Sequence, residues 1–253
     1  MRQRVAIVQR DIVWCDAKAN YDALESMLVG VDADVVVLSE MFPTGFATTP
    51  MGIADEGAAL EWMQGMASRL DAAIVGSVAV KVEDEYRNRL YFVKPDGDYA
   101  FYDKHHLFSV GGEAEYFTAG GERVVEEWRG VRYLLGICYD LRFPVWSRQR
   151  NNDYDVMINV ALWPKARRRV WRTLLSARAM ENQAYVVGVN RVGEEPSGLV
   201  YSGDSMVVDF YGEPIVDMED RAGVAVADID TERLATFRVK FPVWRDADEF
   251  VIK

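Results

Sequence analysis

Apolar positions along the chain fall into two textures. Short continuous runs of Val, Ile, Leu and Ala recur as "RVAIVQ" from Arg4, "ADVVVLSE" from Ala33, "AAIVGSVAV" from Ala72, "YDVMINVAL" from Tyr154 and "AYVVGVN" from Ala184. Runs of this length, rich in β-branched residues, read as strands covered on both faces. Between them lie segments with apolar residues at helical spacing: "NYDALESML" from Asn20, "EGAALEWMQGMASRL" from Glu56 and "RVWRTLLSARAMENQ" from Arg169. Asn20 is the N-cap candidate of the first helix. The alternation predicts α/β layering.

The middle and the end change character. "RNRLYFVKPDGDYAFYDK" places two strands around the turn residues Pro95-Asp96-Gly97-Asp98, and "ERVVEEWRGVRYLLGIC" places two more around Arg129-Gly130. "DSMVVDFYGEPIVDM" and "GVAVADID" add further strands. No linker, low-complexity tract or fixed-period repeat interrupts the chain. The reading is one α/β domain over residues 1–253, with many antiparallel pairings. Residues 231–253 form an extension that packs on the domain or on a partner subunit.

Composition then narrows the function classes. The chain has 253 residues, of which 50% are hydrophobic, enough for a large buried core. Its formal net charge of −11 disfavours nucleic acid and anionic membranes as partners. No apolar stretch approaches the roughly 20 residues needed to span a bilayer, and the first residues do not read as a signal peptide. The two cysteines, Cys15 and Cys138, give neither a disulfide framework nor metal-ligand spacing. A reducing, cytoplasmic setting with no metal and no cofactor is the simplest expectation.

Three polar residues sit at predicted carboxyl ends of strands: Glu40 after "DVVVLS", Lys104 after "YAFYD" and Cys138 after "YLLGI". Ligand sites of open α/β sheets lie outside such ends. Taken singly, each has an ordinary alternative: a core cysteine, a solvated loop glutamate and a surface lysine. Together they make a set for acyl transfer, since a thiol needs a base and an oxyanion needs a cation. A dyad of Cys138 with His105 or His106 is the alternative use of the thiol.

These stretches also carry a family resemblance. "LSEMFPTGF" at 38–46, "FYDKHHLF" at 101–108, "GICYDLRFPVWSR" at 136–148, "ARAMENQAYVVGVNRVG" at 177–193 and "FPVWRDADEF" at 241–250 resemble the nitrilase superfamily of carbon–nitrogen hydrolases, in its omega-amidase-like bacterial branch. The resemblance implies a four-layer α-β-β-α sandwich. It also implies Glu40 as general base, Lys104 as the oxyanion lysine, Cys138 as nucleophile, and a second glutamate before "AGG", with Glu113 favoured over Glu115. The backbone N–H of Tyr139 is expected to face the oxyanion.

The implied substrate is a small terminal amide with a distal carboxylate, such as a 2-oxo dicarboxylic acid monoamide. A nitrile or N-carbamoyl substrate is the alternative, and a catalytically silent binding protein the alternative of another class. Phe46, Glu115 and Trp163 are candidate pocket residues. Arg167 is the expected carboxylate partner, followed by Lys165, Arg168, Arg191 and His106. Leu162 stands where the family often has Asn, which bears on substrate preference. A homodimer is the implied assembly.

Overall fold

The computed structural model describes residues 1–252. In chain order the first half contains β1 (Arg2–Gln9), α1 (Ala17–Met27), β2 (Val35–Val37), α2 (Ala58–Leu70), β3 (Ala73–Val82), β4 (Glu85–Val93) and β5 (Tyr99–Asp103). The second half contains β6 (Val125–Trp128), β7 (Val131–Ile137), α3 (Pro144–Ser147), β8 (Val156–Val160), α4 (Arg168–Asn182), β9 (Tyr185–Val189), β10 (Val192–Glu194), β11 (Val200–Ser202), β12 (Met206–Val208), β13 (Pro214–Asp217), β14 (Gly223–Asp230) and α5 (Thr231–Lys240).

The strands build two six-stranded mixed sheets, ordered β14-β1-β2-β3-β4-β5 and β13-β12-β9-β8-β7-β6. Parallel pairing joins β1 to β2, β2 to β3, β7 to β8 and β8 to β9. β10 and β11 form a separate two-stranded hairpin.

Strand alternation sorts the apolar side chains into layers. Val5, Ile7, Val35, Val37, Ala73 and Val75 of the first sheet meet Leu135, Ile137, Ile158, Val160 and Val187 of the second in one inter-sheet core. Their neighbours Ala6, Val8, Val36 and Ile74 face outward onto Leu24 of α1 and Met63 and Met66 of α2. On the far side Leu134, Met157 and Val186 pack against Trp171, Leu175 and Ala179 of α4. The result is an α-β-β-α sandwich, and coverage on both faces explains why the strands read as continuous apolar runs.

One local feature differs from expectation. α1 starts at Ala17 with Asp16 as its N-cap, accepting from Ala19 N–H at 3.0 Å. Asn20 lies buried inside the helix. Its carboxamide instead ties the loops together, accepting from Val13 N–H at 2.9 Å and donating to the carbonyls of Val13 and Pro43 at 2.7 and 2.8 Å. A 3-10 turn spans Cys138–Arg142, and the four-residue α3 follows with Pro144 in its first turn.

The C-terminal segment closes over one end of the second sheet. Asp230 caps α5, Arg238 is buried against Asp155 at 3.0 Å, and Phe237 stacks on Phe210 at 4.8 Å between ring centres.

Candidate active site

Glu40 lies three residues past β2, followed by Met41 at φ 40°. Lys104 follows β5 directly, its N–H donating to the Asn88 carbonyl at 2.9 Å. Cys138 follows β7 directly at φ 45°, a left-handed conformation that costs a non-glycine residue about 1–3 kcal/mol.

Asp140 holds that strained elbow. Its Oδ2 accepts from Ile137 N–H at 2.9 Å and from the Tyr102 hydroxyl at 2.8 Å. Its Oδ1 accepts from His106 N–H at 2.9 Å and pairs with the His106 ring at 2.8 Å. His105 stacks on Trp146 at 3.7 Å, and His106 on Phe143 at 3.8 Å. Both histidines thus serve the elbow's support, and neither is hydrogen-bonded to the Cys138 thiol among the described residues.

The strand ends converge on one buried cluster. The Lys104 ammonium donates to Glu40 Oε1 at 2.8 Å and to Glu113 Oε2 at 2.8 Å, with all three side chains fully buried. Glu113 Oε2 also accepts from Phe108 N–H at 2.6 Å. Glu40 Oε2 accepts from Leu162 N–H at 2.8 Å, and the Cys138 thiol lies 3.9 Å from the Leu162 carbonyl. The backbone of Leu162 therefore touches both residues, whatever its side chain.

Burial pushes the Glu40 carboxyl up from its ordinary value, with the Lys104 charge opposing and Glu113 reinforcing. Burial works against the Lys104 ammonium, but Glu113 and Glu40 together hold its pKa above the ordinary value. The Cys138 thiol is raised well above the free value, first by burial and then by the Glu40 charge, with Lys104 opposing. The resting pair is thus a neutral thiol beside a carboxylate of increased basicity, the combination that favours proton transfer during attack over a standing thiolate.

Cys138 opens into a cavity of about 210 Å³ lined by Phe46, Tyr139, Leu162, Trp163 and Tyr201 among others. Lys104 Nζ lies 5.4 Å from the Phe46 ring centre. Arg167 borders the cavity over the Phe108 ring at 5.5 Å. Arg142, which sequence reasoning missed, borders it over the Trp163 ring at 5.0 Å. Neither arginine has a carboxylate partner among the described residues, whereas Arg168 pairs with Asp204 at 2.6 Å and Arg191 with Asp11.

Several expectations are corrected here. Glu115 is exposed and stands outside the cavity, because the 3-10 turn Glu113–Glu115 points only its first residue inward. Lys165 is exposed, Arg191 is buried behind Tyr201, and His106 is committed to Asp140. The β10–β11 hairpin, also missed, supplies Glu195, Leu199 and Tyr201 to the cavity, with the Tyr201 hydroxyl donating to Glu195 at 2.9 Å. Its strands are three residues each, too short for a periodic signal. No group of three His, Cys, Asp or Glu side chains among the described residues is placed to hold a metal ion.

A thiol at a strained elbow, a buried carboxylate and a buried ammonium past the strand ends of an α-β-β-α sandwich, with a second buried carboxylate from a 3-10 turn, make up the candidate site of an amidohydrolase. The family model described as carbon-nitrogen hydrolase matches residues 4–239. An omega-amidase YafV from Yersinia enterocolitica is 44% identical over 252 residues, covering 98% of each chain. A 2-oxoglutaramate amidase from Bacillus subtilis is 33% identical over 254 residues, covering 97% of this chain and 98% of its own. A crystal structure of a CN-hydrolase superfamily protein from Xanthomonas campestris, with an arsenic adduct in its active site, superposes with a TM-score of 0.98 at 40% identity and complete coverage of both chains. The chain belongs to the carbon–nitrogen hydrolase family, in its omega-amidase-like branch.

Proposed function

We propose that the protein hydrolyses the terminal amide of a small 2-oxo dicarboxylic acid monoamide, of the 2-oxoglutaramate or 2-oxosuccinamate type, through a thioester on Cys138. The observation that carries this reading is the shared cavity: it holds the thiol and, on its walls, two arginines without carboxylate partners among the described residues. An Arg guanidinium matches a carboxylate in a bidentate fork. The names of the relatives, omega-amidase and 2-oxoglutaramate amidase, support the same class.

In the proposed sequence Glu40 takes the thiol proton as sulfur attacks the amide carbonyl. Lys104 and the Tyr139 N–H stabilise the oxyanion, and removal of one such donor typically costs about 2.7–4 kcal/mol in the transition state. Protonated Glu40 returns the proton to the leaving nitrogen, and the C–N bond breaks to release ammonia. Glu40 then takes a proton from water, whose oxygen attacks the thioester. Collapse of that adduct releases the carboxylic acid and returns the proton to sulfur. Glu113 holds Lys104 in place through both reactions.

The reading includes a cytoplasmic setting, which keeps the thiol reduced. It also includes a homodimer, for which exposed Val145 of α3 and Met180 of α4 offer apolar surface. Ammonia release from a panel of 2-oxo acid monoamides, neutral amides, nitriles and N-carbamoyl compounds tests the chemistry. Faster turnover of any other class than of the monoamides would overturn it.

A further inference from the structure

Asn88, on β4, is 1% exposed, and its neutral side chain bridges the two buried glutamates. Its carboxamide nitrogen donates to Glu40 Oε1 at 2.9 Å and to Glu113 Oε1 at 2.9 Å. Its backbone carbonyl accepts from Lys104 N–H at 2.9 Å. One residue therefore touches all three charged members of the cluster. The amide orientation follows from chemistry, since the flipped form would set a carbonyl oxygen against two carboxylates.

The same orientation leaves Asn88 Oδ1 buried with no hydrogen-bond partner among the described residues. We propose that Asn88 is a positioning residue of the hydrolysis, whose two amide hydrogens hold Glu40 and Glu113 apart and keep Glu40 ionised as the base.

The electrostatics favour this role. Two carboxylates share one ammonium, so the cluster carries a net negative charge away from water. Lys104 alone has to serve both carboxylates while facing the oxyanion. The amide hydrogens bind the charged form of each carboxylate and add no charge of their own. Removing them withdraws from each carboxylate one bond that favours its charged form, at a site where burial already raises Glu40.

The inference rests on the assignment of Glu40 as base, and the two failures are distinguishable: turnover by a folded Glu40→Gln variant refutes the assignment and the inference with it, whereas unaltered kinetics of Asn88→Leu refute the Asn88 role alone. Asn88→Leu keeps approximate volume and removes both donors. Loss of a hydrogen bond to a charged group typically corresponds to about ten- to hundredfold. The expected result is a loss of that size in kcat, a KM within threefold, and an acid limb of the kcat/KM profile moved upward by about one pH unit. Asn88→Asp preserves the shape and adds a third carboxylate, so its activity at neutral pH should fall further than that of Asn88→Leu. It should recover partly as the pH is lowered and the new carboxyl gains a proton. Iodoacetamide capture of Cys138 should slow in both variants with the same pH shift. An Asn88→Leu variant showing wild-type kcat and an unmoved acid limb would overturn the proposal, because a residue that merely fills space at position 88 is replaced by Leu without consequence for the limb.

Discussion

Substituting the two cavity arginines, singly and together, tests how the substrate is recognised. Arg142 and Arg167 are half-buried, lie over Trp163 and Phe108, and have no carboxylate partners among the described residues. A hydrogen bond to a charged group contributes about 1.5–3 kcal/mol when desolvated. Partial exposure places each arginine near the lower end, or roughly tenfold in kcat/KM. Methionine retains an unbranched apolar stem over each ring while removing the charge. The expected result is a tenfold fall in the preference for a carboxylate-bearing monoamide over a neutral amide of equal length in each single variant. The double variant should lose up to about a hundredfold, and less if both arginines hold the same carboxylate. The assay is the ratio of kcat/KM for the two substrates in all four proteins, with the neutral-amide rate as the control for intact chemistry. A double variant with an unchanged ratio would refute the reasoning and place the carboxylate elsewhere.

Four further outcomes follow from the geometry. Cys138→Ala should abolish turnover and Cys15→Ala should leave most of it, and mass spectrometry of quenched reactions should find the acyl adduct on Cys138 alone. Burial raises Glu40, and the ionised form acts as base, so kcat/KM should fall on acidification through a midpoint above the ordinary carboxylate range; a midpoint at or below that range would contradict the assignment. Glu113→Gln should cost at least tenfold in kcat because it weakens the hold on Lys104, whereas Glu115→Gln, at an exposed position, should change it less than twofold. Asp140→Ala removes an acceptor that serves Ile137, Tyr102 and His106 together, and should destabilise the protein by about 2–4 kcal/mol in thermal or denaturant unfolding, with activity falling as the elbow relaxes.

Much of this architecture was legible because strands covered on both faces leave a plain mark. Val5 to Val8, Val35 to Val37 and Val156 to Val160 have no solvent face, so their polarity gives no alternation to misread. Polar residues at the ends of such runs stand out, which is how Glu40, Lys104 and Cys138 could be grouped before any geometry. Helix starts were less clear, since Asp16 and Asn20 are both capping residue types four positions apart and only the loop contacts of Asn20 separate them. Arg142 was missed because sequence does not say which cation lacks a partner. The carboxylates that occupy Arg168 and Arg172 come from Asp204 and Asp217, more than thirty positions away. Asn88 was hidden for a related reason: between Arg87 and Arg89 it reads as one more polar residue on a strand, and its partners lie 48 and 25 positions away.

The division of the site between the sheets has a consequence for how the molecule comes into being. Glu40 and Lys104 follow strands of one sheet, and Cys138 follows a strand of the other. Glu40 and Cys138 therefore meet only when the sandwich shuts. During refolding, ammonia production should lag behind the recovery of the far-ultraviolet signal and coincide with burial of the Tyr133 and Phe92 rings, which meet across the closing seam at 5.4 Å. Such a lag would make ammonia release a clock for the last step of assembly.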